Sequence, residues 1–174
     1  MAASSEREFI DVIYMLNSDV PVLDKAFKLA AKYCIADRRN GDPAMVHVKQ
    51  VAFILRDMGF TKTQDIVVAI LHDVVEDCHD DDPHNGRIYR ELLEFGQYVY
   101  DNVMTLTHPP NEPYEDYINR IVHADCATPI AVKIADIIDN VTSEPLAVSK
   151  ESYRRALPRL INAMLCFCEV KKWD

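Results

Sequence analysis

Apolar residues recur along this chain at helical spacing, and in two places the apolar pattern closes almost all the way round. The first is Val67-Val68-Ala69-Ile70-Leu71-His72-Asp73-Val74-Val75-Glu76-Asp77, where five apolar residues run into a His-Asp pair, two more follow, and a Glu-Asp pair closes the stretch. Gly59 stops the preceding segment. Thr61, with Gln64 three residues on, has the spacing of a capping box. The pattern predicts one central, buried helix from Thr61 to Asp77. On such a helix His72 and Glu76 lie one turn apart, as do Asp73 and Asp77. Ionisable groups buried without partners are strongly destabilising, so this cluster calls for counter-charges. A metal ion and a polar cleft would supply them.

The second such stretch is Ile130-Ala131-Val132-Lys133-Ile134-Ala135-Asp136-Ile137-Ile138-Asp139-Asn140. Thr128-Pro129 before it reads as a cap followed by proline at the first helical position. Asp136 and Asn140 fall one turn apart on one face, with Lys133 a turn earlier. A buried aspartate without a role is uncommon, and the plain alternative for Asp136 is an ion pair with Lys133.

The remaining segments are shorter and amphipathic. Glu6–Leu16 reads as a first short helix. Pro21 opens a second that runs towards Arg38, and Arg38-Arg39-Asn40-Gly41-Asp42-Pro43 is a break. The two arginines suit a helix C-terminus, where cations complement the dipole. Pro43 starts a third helix carrying His47 between Val46 and Val48, a position where a hydrogen-bonded core histidine is the plain alternative to a ligand. The loop holding His79, Asp80, Asp81, Asp82 and His84 reads as a solvated rim. Two short helices flank Gly96. Pro109, Pro110 and Pro113 form a rigid connection to an amphipathic helix with Tyr114, Tyr117, Ile118 and Ile121. A last helix runs from Ser149 through Tyr153, Leu157, Leu160 and Phe167, and Pro158 is placed to kink it. The expectation is an all-α fold, a single domain over residues 1–174 with about eight or nine helices.

Composition narrows the function. Net charge is −9 over 174 residues, and no run of Lys and Arg exceeds two. That pattern argues against nucleic acid or an anionic membrane as partner. The five cysteines, Cys34, Cys78, Cys126, Cys166 and Cys168, include no Cys-x-x-Cys pair, which fits reduced thiols in a cytoplasmic protein. The polar start carries no signal-peptide core, and no apolar run is long enough to span a bilayer.

His47, His72, Asp73 and Asp136 stand out as polar residues on apolar helices. Two imidazoles and two carboxylates make a mixed N/O donor set suited to Mn²⁺, Fe²⁺ or Zn²⁺ rather than Ca²⁺. Their order, His…His-Asp…Asp, resembles the HD-domain metal-dependent phosphohydrolase superfamily. The longer run His72-Asp73-Val74-Val75-Glu76-Asp77 is similar to the His-Asp-x-x-Glu-Asp signature of the RelA/SpoT-homologue hydrolase domains, which remove pyrophosphate from the 3′ position of (p)ppGpp. Arg38 to His47 is similar, without gaps, to their Arg-Lys-Ser-Gly-Glu-Pro-Tyr-Ile-x-His segment. Val132-Lys133-Ile134-Ala135-Asp136 with Asn140 resembles their Val-Lys-Leu-Ala-Asp…Asn segment. The resemblance spans residues 38–140.

That resemblance implies an HD-domain helical bundle acting as a stand-alone small alarmone hydrolase. His47, His72, Asp73 and Asp136 would bind Mn²⁺, while Glu76 and Asp77 would orient and activate the attacking water. It further implies that Arg38 packs on the purine, Arg39 reaches phosphate, Asn140 holds the ribose, and Tyr153 contacts substrate. The chain departs from the family pattern at Arg39, Asn40, Ala44, Val48, Ile137 and Thr142, all in or near substrate recognition. The expected substrate is (p)ppGpp, with an adenosine analogue or another 3′-phosphorylated nucleotide left open. The alternatives are a phosphohydrolase of ordinary nucleotides and a non-catalytic nucleotide-binding domain.

Overall fold

A computed structural model describes residues 20–38, 41–78, 86–143 and 150–170. Among them are eight helices: α1 (Val20–Tyr33), α2 (Ala44–Asp57), α3 (Thr63–Leu71), α4 (Arg87–Leu93), α5 (Gln97–Leu106), α6 (Tyr114–Val122), α7 (Ala127–Ser143) and α8 (Lys150–Val170). No strand occurs among these residues, and the fold is an all-α bundle. The Glu6–Leu16 segment, Arg39, His79 and His84 lie outside the described residues.

Helix α3 is the axis of the bundle. Every residue from Asp65 to Leu71 on it is buried, as its nearly all-apolar sequence demands. Helices α1, α2, α5 and α7 pack against it. Helix α7 in turn packs against α2, α5 and α8, and α8 closes over α6. One apolar core runs through these contacts, from Leu23 and Leu55 through Ile70 and Leu71 to Ile118, Ile130 and Leu160.

Helix α3 is shorter than the sequence pattern predicts. It begins after Lys62, which is extended at φ −70° and ψ 136°, and no side chain caps it. It ends at Leu71, ahead of the His-Asp pair, and residues 72–77 form tight turns. The His72 ring explains the end. Its Nδ1–H donates to the Ala69 carbonyl at 2.8 Å, satisfying an acceptor that the next helical turn would otherwise take. The Val74 amide goes to the Leu71 carbonyl at 3.2 Å, a tighter closure than an α-helical turn. The apolar residues beyond this point still serve the core, since Val74 is fully buried.

Two other boundaries also differ from expectation. Helix α1 stops at Tyr33, so Arg38 belongs to the connection between α1 and α2 rather than to a helix end. That connection is closed by an Arg38 amide bond to the Asp42 carbonyl at 2.8 Å, and Gly41 takes φ +86°, where a glycine is favoured. Helix α7 begins at Ala127. Thr128 is therefore inside it, and its hydroxyl donates to the buried Asp65 carboxylate at 2.9 Å instead of capping. Tyr98 on α5 also donates to Asp65, at 2.7 Å. One carboxylate thus joins the start of α3 to α5 and α7.

The proline-rich connection is held at its flanks. Arg120 on α6 donates to the Thr105 and Thr107 carbonyls at 2.6 and 2.9 Å, closing the C-terminal end of α5. Tyr117 donates to the Leu106 carbonyl at 2.5 Å. Helix α8 continues through Pro158.

Ile70 is fully buried at the centre of α3. Ile70→Ala is expected to lower unfolding stability by about 2–5 kcal/mol. A shift of the urea midpoint without a change in slope is the check.

Candidate metal centre and cleft

The turn that ends α3 delivers His72 and Asp73 to the side of α2 that carries His47, and α7 brings Asp136 to the same point. His47 Nε2 lies 3.3 Å from His72 Nε2. It lies 3.3 Å from Asp136 Oδ1 and 3.5 Å from Asp73 Oδ2. His72 Nε2 is 3.0 Å from Asp73 Oδ2. Donor atoms of His47, His72 and Asp73 therefore face one small space, and Asp136 approaches it at His47. Ligand bonds of about 2.1 Å put neighbouring donor atoms about 3.0–3.4 Å apart, and these separations fall around that range.

The donor chemistry fits as well. The Nδ1–H groups of both histidines are already used: that of His72 on the Ala69 carbonyl and that of His47 on the Asp139 carboxylate at 2.7 Å. Each ring therefore presents Nε2 inward, and a partner on the far nitrogen is the usual support for a metal-ligating histidine. The group His47, His72 and Asp73 could hold a divalent metal ion, with Asp136 beside it.

Charge balance in this cluster is tight. Burial pushes the His47 imidazole down, but Asp136, Asp139 and Asp73 outweigh it and hold the ring up to about 11. Burial opposes the charge on Asp73, yet His72 and His47 keep it well below the usual carboxylate range. Asp136 is held low against burial by Lys133 and His47. Lys133 donates to Asp136 Oδ2 at 2.7 Å, while Asn140 donates to Oδ1 at 2.6 Å. The ion pair with Lys133 and the approach to His47 thus coexist on one carboxylate.

A cleft of about 390 Å³ opens over this cluster. Its walls include Arg38, Asp73, Glu76, Asp77, Lys133, Asp136, Asn140 and Tyr153. Glu76 is drawn up in pKa by burial and by Asp73. It accepts the His108 backbone N–H at 2.7 Å, which ties it to the proline-rich connection. Burial also raises the Cys34 thiol, which lies in the cleft wall near Asp77 and Asp73.

Arg38 is held by partners within the protein. It donates through Nη1 to Asp139 at 2.6 Å and through Nη2 to Asn140 at 2.5 Å. Asp139, absent from the residues singled out in the sequence, is buried and takes both Arg38 and His47. The amide of His108 is likewise a neighbour of the cleft that spacing did not mark, whereas the Lys133–Asp136 pair follows their spacing on the helix.

These features define the class of fold, an all-α bundle with a cleft over a cluster of donor atoms. Solved structures match the chain in shape. One is a metazoan ortholog of SpoT that hydrolyzes ppGpp and plays a role in starvation responses. The two share 21% identity at a TM-score of 0.59, over 80% of this chain and 83% of that one. No protein-family model matches the chain, and no curated protein matches it in sequence. No helix among the described residues is long and apolar enough to cross a membrane.

A metal held by His47 would require a neutral ring, so below a pKa of about 11 that ring would release a proton on binding. Apparent affinity is therefore expected to rise with pH through the neutral range, about tenfold per unit for one released proton. Calorimetry of Mn²⁺ binding in buffers of different ionisation enthalpy reads that proton directly. Uptake without proton release would contradict a protonated His47 in the metal-free cluster.

Proposed function

We propose that this cleft is the active site of an Mn²⁺-dependent hydrolase that removes the 3′-pyrophosphate of (p)ppGpp or a related alarmone, giving GDP or GTP and pyrophosphate. The observation that carries the reading is the convergence of His47, His72 and Asp73, with Asp136 against His47, at a cleft walled by Glu76 and Asp77. The fold shared with a ppGpp-hydrolysing SpoT ortholog supports it.

His47, His72, Asp73 and Asp136 would hold a divalent ion, which would supply charge neutralisation at the phosphoryl group and acidify water. Glu76 and Asp77 hold the attacking water and accept its proton. Burial and the neighbouring Asp73 raise the proton affinity of Glu76, which suits a general base. The water oxygen joins phosphorus, the bond from phosphorus to the 3′ oxygen breaks, and a proton ends on that oxygen. The His108 amide fixes the Glu76 carboxylate against the cleft wall, so its approach to the water is set before substrate arrives. Asn140 and Tyr153 line the side on which a nucleoside would lie. Arg39 is assigned to phosphate on the motif resemblance alone.

A second reading draws on the cations. Among the described residues lining the cleft, Arg38 and Lys133 are the basic ones, and each is paired with a carboxylate, Asp139 and Asp136 respectively. That balance favours a nucleotide carrying less charge than (p)ppGpp, cleaved as a phosphomonoester. The two readings differ in product, pyrophosphate against orthophosphate.

The test is incubation of metal-stripped protein with ppGpp, with and without Mn²⁺, resolving GDP, pyrophosphate and orthophosphate. Manganese-dependent release of GDP and pyrophosphate is expected. Glu76→Gln and Asp77→Asn should each lower kcat by about 10²–10⁴-fold while leaving Mn²⁺ binding within a few-fold. A folded, metal-loaded protein that leaves ppGpp intact but releases orthophosphate from a nucleoside monophosphate would replace the first reading with the second.

A further inference from the structure

The geometry points to Asp139 as a positioning residue that links the metal centre to the substrate side of the cleft, an inference that rests on His47 being a metal ligand. A single oxygen, Asp139 Oδ2, accepts the His47 Nδ1–H at 2.7 Å and the Arg38 Nη1–H at 2.6 Å. The other oxygen, Oδ1, accepts the Ser143 hydroxyl at 3.0 Å, which fixes the plane of the carboxylate from its own helix. Asp139 is only 3% exposed, so its charge is held by these partners rather than by water.

Each contact has a separate consequence. The bond to Nδ1 selects the ring edge that faces the donor cluster and raises the basicity of Nε2. The bond to Arg38 takes one arm of the guanidinium, while Asn140 Oδ1 takes another at 2.5 Å. Asn140 itself donates to Asp136 Oδ1 at 2.6 Å. Arg38 is therefore joined to the donor cluster twice, through Asp139 to His47 and through Asn140 to Asp136. A ligand that moves Arg38 moves the oxygen on which His47 rests. Asp139 does not line the cleft, whereas Arg38 and His47 do. It acts through both neighbours rather than on substrate.

The experiment uses the full chain, stripped of metal and titrated with Co²⁺, whose visible absorption reports ligand geometry without any substrate. Asp139→Asn keeps the size of the side chain but removes its charge. Cobalt affinity is expected to fall about 10- to 100-fold, with a shift of the absorption band. Arg38→Met replaces none of the proposed metal ligands, yet it removes the cation that holds the shared oxygen. It is expected to weaken cobalt about threefold or more and to move the same band. The Arg38→Met arm keeps the test decisive if Asp139→Asn fails to fold. Cobalt affinity and spectrum unchanged in folded Asp139→Asn, or unchanged in Arg38→Met, would overturn the link. Failure of the wild-type chain to take up Co²⁺ would overturn the metal reading itself. Failure to hydrolyse ppGpp would overturn only the substrate.

Discussion

Buried charge is the constraint on which this structure depends. Three carboxylates, two imidazoles and an ammonium group are held where α2, the end of α3 and α7 meet. Asp136 and Asp139 are 5% and 3% exposed, and His72 is 3% exposed. None of these groups would be stable there alone. Each carboxylate is instead surrounded by donors, and the positions of those donors fix the positions of the helices. The apolar core brings the helices together, and the polar cluster ties α7 to α2, with Asp136 at His47 Nε2 and Asp139 at Nδ1.

The same constraint explains what could be read from the chain. The buried helices were legible because their apolar positions recur with the helical period. The metal candidates were legible because His47, His72, Asp73 and Asp136 interrupt that pattern. The end of α3 was not, because Val74 and Val75 continue the apolar run past the point where the backbone leaves the helix. What ends the helix is a side chain, the His72 ring returning to the Ala69 carbonyl, and periodicity carries no trace of it. Thr128 shows a similar ambiguity. A threonine before a proline has the look of a cap, but here its hydroxyl answers a buried aspartate 63 residues earlier.

Asp139 illustrates the harder case. Beside Asn140, near the end of a helix, it resembles any polar residue on an outer face. Its partners are a histidine 92 residues and an arginine 101 residues earlier. Only the tertiary fold brings them together. The contacts of Arg38 were hidden for the same reason. Local sequence offered the arginine a helix end and the motif resemblance a base, and neither anticipates a carboxylate from the penultimate helix of the bundle.

A single oxygen shared between Arg38 and His47 also bears on how such a protein can diverge. Binding clefts usually change their ligands by exchanging loop residues while the helices beneath stay fixed. Here the loop arginine and the helical histidine lean on one atom, so a replacement at position 38 alters the support of position 47 unless position 139 changes with it. The three positions form one heritable unit. Drift towards a new ligand in this lineage would run through paired replacements at 38 and 139, with single replacements at either held back by the loss they cause at the other.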